Sequence, residues 1–174
     1  MNKNLIKLSQ KLRENSIYFL YKYLKIEDFK YRKLTEGEIQ IARKVFQNTI
    51  NYNTVKIFNI PYLPWQPLNI IIAPNGNLFV NKELYSKDYS KCSITTQGIF
   101  IHELAHILQY QKHKNVVLRG FLLQSAYYLS LKSYNPYKYH FIESKPFEKY
   151  NIEQQGEIAR DIFFDKIPNI ITRS

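Results

Sequence analysis

Gly98-Ile99-Phe100-Ile101-His102-Glu103-Leu104-Ala105-His106-Ile107-Leu108-Gln109 constrains this chain more than any other stretch. It sets His-Glu-x-x-His inside an apolar run. On a helix, His102 and His106 stand one turn apart on the same face, so both imidazoles reach a single point. Such a pair suits a zinc ion, and Glu103 beside it is placed to act on a water bound to that ion. The apolar context predicts a helix from about Thr96 to His113.

A zinc site requires a third protein ligand. One known pattern adds a third His after His-Glu-x-x-His-x-x-Gly-x-x-His, but here Gln109 holds the Gly position and Lys112 the His position. His113 falls one residue too late and reads as a surface or cleft-rim residue. The other route is a carboxylate from a later helix. No Asp or Glu occurs between His106 and Ile142, and Glu143 and Glu148 sit in a segment with no helical pattern. Glu153, Glu157 and Asp161 then recur at four-residue spacing along one face of a helix predicted from Ile152 to about Lys166. Carboxylates stacked this way repel one another unless a cation or an imidazole offsets them. One of them would bind zinc, and the carboxylate one turn later would accept a proton from the far nitrogen of a ligand His. Glu153 with Glu157, and Glu157 with Asp161, both satisfy that spacing.

The rest of the chain supplies the frame. Asn2 to Leu24 has helical apolar spacing and reads as one or two helices. Thr35 with Glu38 is a capping box that opens a helix through Ile50. Val55 to Phe58 is a short β-type run, and the prolines between Ile60 and Pro67 exclude regular structure there. Asn69–Ala73 and Leu78–Val80 flank Pro74-Asn75-Gly76-Asn77, a hairpin pattern whose edge would hold an extended substrate. Tyr85 to Thr96 reads as loop, Val116 to Lys132 as a strongly apolar helix, and Tyr137 to Tyr150 as an irregular aromatic segment. The predicted fold is α+β and mainly α, with a small sheet or hairpin before the His-Glu-x-x-His helix and a second, ligand-bearing helix near the C-terminus. The chain reads as a single domain over 1–174, with a helical part over 1–50 and a catalytic core over 51–174.

Composition narrows the function classes. Cys92 is the only cysteine, which excludes an internal disulfide and a Cys-based zinc knuckle. Lys and Arg outnumber Asp and Glu 25 to 14, for a formal charge of +11. That surplus favours anionic partners in general. The positive residues are scattered, however, and no DNA- or RNA-binding signature is present, so they read as a solvated Lys-rich surface. A cleft rimmed by Tyr and Lys would suit acidic peptides. Met1 to Leu24 has neither an uninterrupted apolar core nor a small-residue cleavage site, and no segment reaches the roughly 20 apolar residues of a membrane span. Export, if it occurs, is expected to follow a route that reads no cleaved N-terminal signal.

Phe100-Ile101-His102-Glu103-Leu104-Ala105-His106-Ile107-Leu108-Gln109 resembles the Phe-x-His-Glu-x-x-His-x-x-Gln core of small gluzincin-like metallopeptidases found beside Vgr and Rhs elements, cargo toxins of bacterial type VI secretion. The resemblance continues at Phe147-Glu148-Lys149-Tyr150-Asn151-Ile152-Glu153-Gln154-Gln155 and at Asp161, and covers about the C-terminal half. It implies a zincin-like fold, Zn2+ held by His102, His106 and Glu153, and Glu103 as general base. Glu157 and Asp161 are left to support the ligands. It also implies a peptide or protein substrate, a Vgr or Rhs carrier, an immunity protein, and export by type VI secretion. A developing oxyanion needs a further donor, for which Tyr137, Tyr139 and His140 are candidates. Two other readings share parts of the pattern. A zinc amidase acting on cell-wall peptides uses the same chemistry, and a non-catalytic basic module binding nucleic acid or acidic protein would keep both His without needing Glu103.

Overall fold

The Thr35 hydroxyl accepts from the Glu38 N–H, and the Glu38 carboxylate accepts from the Thr35 N–H at 2.8 Å. This reciprocal cap opens helix α1, Glu36–Phe46. The structure, a computed structural model, describes residues 30–63 and 66–172. The helices expected between Asn2 and Leu24 therefore lie outside the described residues. Three further helices follow: α2 (Ile94–Gln111), α3 (Val116–Leu129) and α4 (Ile152–Phe163). A second capping box, Asn151 with Gln154, opens α4. Helix α2 starts two residues before the expected Thr96, because Ser93 is the residue that caps it, accepting from the Thr96 N–H.

The sheet is small and three-stranded. Strand β1 (Tyr31–Lys33) pairs antiparallel with β2 (Lys56–Phe58), placing Arg32 opposite Ile57. Strand β3 (Leu78–Phe79) runs parallel to β2, with Phe58 opposite Phe79. The expected hairpin is reduced to one antiparallel bridge between Ile72 and Phe79, closed by two backbone hydrogen bonds of 3.2 and 2.9 Å. Gly76 turns the chain there at φ +84°, a conformation glycine adopts without steric cost, and a Cβ would also strike the Tyr110 ring. Phe79 pairs with β2 on one side and Ile72 on the other, so Ile70–Pro74 forms the outer edge of the sheet. The architecture is mainly helical α+β.

Helix α2 is the centre of the core. Every residue from Phe100 to Gln109 is buried, as expected of a helix that is apolar on most faces. Val45 and Phe46 of α1, Ile57 and Leu78 of the sheet, and Ile158, Ala159 and Ile162 of α4 belong to the same cluster. Helix α3 is the apolar helix expected from Val116, and it ends at Leu129 rather than Lys132. Of its apolar residues only Val116 is buried, while Phe121 is 67% and Leu129 85% exposed. Helix α3 offers its first turns to the site, through Val116, Val117, Gly120 and Phe121.

One buried charge ties β1, α1 and the loop before α2 together. The fully buried Glu38 carboxylate accepts from Arg32 at 2.8 and 2.7 Å, and from the backbone N–H of Thr35 and of Tyr89, each at 2.8 Å. Replacing Glu38 by Ala leaves the Arg32 guanidinium and two N–H groups without their acceptor. The expected cost is about 3–5 kcal/mol, measured as a lowered midpoint in urea unfolding; a loss under about 1 kcal/mol would contradict this account.

Candidate metal centre

Helices α2 and α4 cross closely because α4 carries a glycine at the crossing. A Cβ built on Gly156 would lie 2.5 Å from His102 Cε1 and 2.6 Å from Nε2, so only a hydrogen fits against the imidazole. That approach carries Glu153, almost one turn earlier, onto both histidines. Glu153 Oε2 lies 3.5 Å from His102 Nε2 and 3.6 Å from His106 Nε2. The ring centroids of His102 and His106 are 5.1 Å apart. Ligand atoms of His102, His106 and Glu153 all fall within 4.8 Å of one another, a grouping able to hold a metal ion.

Glu157, one turn after Glu153, sits on the other side of His102, with Oε1 3.0 Å from Nδ1. Its second oxygen contacts Arg160. Of the two pairings that spacing left open, the structure brings Glu153 and Glu157 to His102. Asp161 is placed elsewhere: it accepts from the Tyr139 hydroxyl at 2.5 Å and from Lys166 at 3.1 Å. Tyr139 is thereby engaged away from the histidines, and His140 is exposed with its carbonyl accepting from Tyr150. Tyr137 alone of those three candidates lines the cleft, its ring centroid 6.4 Å from that of His102. His113 is exposed just beyond the end of α2, as expected.

Burial and neighbouring charge act in opposite directions here. Burial alone would lower the His102 pKa, but hydrogen bonds to Glu153 and Glu157 override it and push it up to about 10. His106 is likewise raised against the effect of burial, chiefly through Glu153. Burial raises Glu153, yet the two imidazoles hold it down at about 2. Glu103 is different. Burial dominates and raises its pKa, although both histidines and the backbone at Ala73 pull it down. Burial also raises the Tyr137 phenol to about 12, which keeps it protonated near neutral pH.

His102, Glu103, His106 and Glu153 open onto a cleft of about 320 Å³. One wall is the sheet edge Ile70–Pro74, and the opposite wall is the start of α3, with Val117 and Phe121. The expected Tyr-and-Lys rim is half right. Tyr62 and Tyr137 line the cleft, but among the described residues no Lys or Arg does.

Two residues of the site escaped sequence reasoning. Gln109 is buried with its Oε1 2.9 Å from His106 Nδ1. Its signal was a polar residue three positions after His106, on the same helical face within an apolar run. Gly156 had a weaker signal, a glycine inside a predicted helix, where close packing is one common reason.

The fold and this cluster define a mainly helical α+β domain with a two-helix His/Glu group able to hold a metal ion. No protein-family model matches the chain. It is 41% identical over 136 residues to the "Type VI secretion system spike protein VgrG2b" of Pseudomonas aeruginosa, covering 78% of this chain and 13% of that protein. It is similar to the solved "Effector domain of Pseudomonas aeruginosa VgrG2b", with a TM-score of 0.70 and 41% identity over 76% of this chain and 73% of that one. The chain belongs to the family of the VgrG2b effector domain, and this homology links it to type VI secretion. The likeness reaches beyond the C-terminal half that carries the motif resemblance.

Two predictions follow from the helix crossing and its charges. Gly156→Ala should displace His102 and weaken metal uptake, at a stability cost of about 1–3 kcal/mol. Gly120→Ala, whose Cβ would meet nothing nearer than 3.9 Å, should leave both unchanged. Metal titration with calorimetric melting compares the two, and equal behaviour would refute the packing argument. For the metal-free protein, protonated His102 contributes stability in full below 6.5, lost as pH rises through about 10. Ionised Glu153 contributes in full above 4.5, lost as pH falls through about 2. Urea unfolding with chelator present should therefore show this contribution at its greatest between 4.5 and 6.5. Stability that stays flat from pH 6 to 10 would contradict it.

Proposed function

We propose that this chain is a zinc-dependent hydrolase of zincin-like type, acting on peptide bonds as a type VI cargo effector. The observation that carries the proposal is the convergence of His102, His106 and Glu153 with Glu103 beside them, at the floor of a cleft. The donor set suits zinc: two imidazole nitrogens and one carboxylate oxygen from the protein, with the cleft side left open for a fourth partner. Donors around a tetrahedral zinc ion stand about 3.4 Å apart, and the separations of Glu153 Oε2 from His102 Nε2 and His106 Nε2 are 3.5 and 3.6 Å. When bound, zinc supplies Lewis-acid polarisation of a carbonyl oxygen and acidifies water.

The chain's own groups do the remaining work. Glu103, raised by burial, is suited to take a proton from water and return it to the leaving amine. Glu157 accepts from His102 Nδ1–H, which leaves the Nε2 lone pair directed at the cluster. Tyr137, held protonated in the cleft, is placed to donate to a developing oxyanion. The edge at Ile70–Pro74 offers backbone groups to an extended chain. Apolar lining by Leu63, Ile70, Ile72, Val117 and Phe121 favours a substrate with bulky apolar side chains over the acidic peptide that net charge suggested.

Homology to an effector domain supports a Vgr carrier as delivery partner, with an immunity protein as the corresponding inhibitor. No helix among the described residues is long and apolar enough to cross a membrane. A zinc amidase acting on cell-wall peptides would use the same groups, and the choice of substrate decides between the two.

Glu103→Gln should retain zinc and fold while hydrolysis of a casein or peptide-library substrate falls by about 10²–10⁴-fold. Full activity in that variant would sink the enzyme reading and favour a zinc-stabilised interaction module. Cleavage of the library should concentrate at bulky apolar residues; cleavage confined to cell-wall peptides would select the amidase.

A further inference from the structure

Gln109 is almost completely buried, and every polar atom of its side chain is used. Nε2 donates to the Ile152 carbonyl at 3.0 Å and to Gln155 Oε1 at 3.0 Å. Oε1 lies 2.9 Å from His106 Nδ1. Gln155 is held in turn, because its Nε2 donates to the Tyr150 carbonyl at 2.7 Å. A carboxamide can usually be turned over without a visible change in shape. Here it cannot. Backbone carbonyls only accept, so Tyr150 O sets the direction of Gln155, and Ile152 O with Gln155 Oε1 sets the direction of Gln109. The atom left facing His106 must be an acceptor. His106 Nδ1 must then carry a proton, which leaves Nε2, facing Glu153 and the cleft, as the nitrogen that can give up its proton to bind a metal.

We propose that Gln109 is a positioning residue that fixes His106 as the Nδ1–H tautomer, with its orientation dictated from the start of α4 through Ile152, Gln155 and Tyr150. The same short segment that contributes Glu153 thereby prepares a histidine on the other helix to bind a metal through Nε2. His102 is served by a carboxylate and His106 by a neutral amide. The amide adds no fourth carboxylate to a site that already holds Glu103, Glu153 and Glu157. This inference rests on the zinc reading above.

The test uses the whole chain, zinc alone as ligand, and two near-isosteric variants. Gln109→Met removes the acceptor facing Nδ1. Gln109→Glu keeps an acceptor there and loses both donations to α4. Zinc affinity, measured by competition with a chromophoric chelator, should be about 10–100-fold weaker in Gln109→Met. It should stay within about threefold of the parent in Gln109→Glu, whose melting temperature should nevertheless fall. A purely structural role predicts the opposite for Gln109→Glu, a loss of zinc at least as large as in Gln109→Met. Proton–nitrogen NMR of the zinc-loaded parent should show a slowly exchanging His106 Nδ1–H, an observation that needs neither variant to fold. Zinc on Nδ1, or Gln109→Met binding as tightly as the parent, would overturn the positioning role while leaving the metal site intact. A parent chain that takes up no zinc would overturn the metal reading, and this one with it.

Discussion

The approach of α4 to α2 at Gly156 and His102 is the contact on which the site depends. A methyl group in place of the glycine hydrogen would lie 2.5 to 2.7 Å from three atoms of the imidazole, too close for any side chain. With glycine there, one helix carries the histidines and the other delivers two carboxylates to them, at 3.0 to 3.6 Å. Close-packed interiors transmit such a constraint with little slack, so the crossing distance and the donor distances are one property. The capping box at Asn151 matters for the same reason, since it sets where α4 begins and therefore which residues face α2.

The charges at that crossing are mutually dependent. One buried and two part-buried carboxylates beside two imidazoles would be costly if the histidines were neutral and no cation were present. Protonated histidines answer that need without metal, and a divalent cation answers it when it displaces those protons. The opposed shifts of Glu153 and Glu103 express the difference in their surroundings. Glu153 faces both rings and stays ionised, whereas burial dominates at Glu103 and brings it toward neutrality. Two carboxylates in one pocket thus have pKa values pushed apart by their surroundings, the difference the proposed roles would use.

Local rules were legible where they rest on local chemistry. Thr35 with Glu38 announced α1 and its cap, and the four-residue row from Glu153 announced one face of α4. The weak points were the places where distant segments decide. The Asn-Gly turn suggested a regular hairpin, but Phe79 is shared between β2 and Ile72, which leaves one bridge. The apolar content of Val116 to Lys132 announced a helix but not its burial, and most of its apolar side chains face outward. Net charge suggested a basic cleft rim, yet charge totals carry no address, and the cleft walls are apolar.

By itself the sequence determined the helical pairing of His102 with His106, the neighbouring Glu103, and a short list of carboxylates on a single face. Those follow from helix period and residue chemistry, which need only a few neighbours along the chain. Helix spacing left open, and tertiary structure decided in line with the family resemblance, that Glu153 joins the two histidines; only tertiary structure decided that Glu157 takes the far side of His102 and that Asp161 turns to Tyr139. It also decided that Gln109, which motif spacing left without a role, faces His106 with an orientation imposed from α4. Spacing says which side chains share a face. Only the packing of two helices says which of them meet.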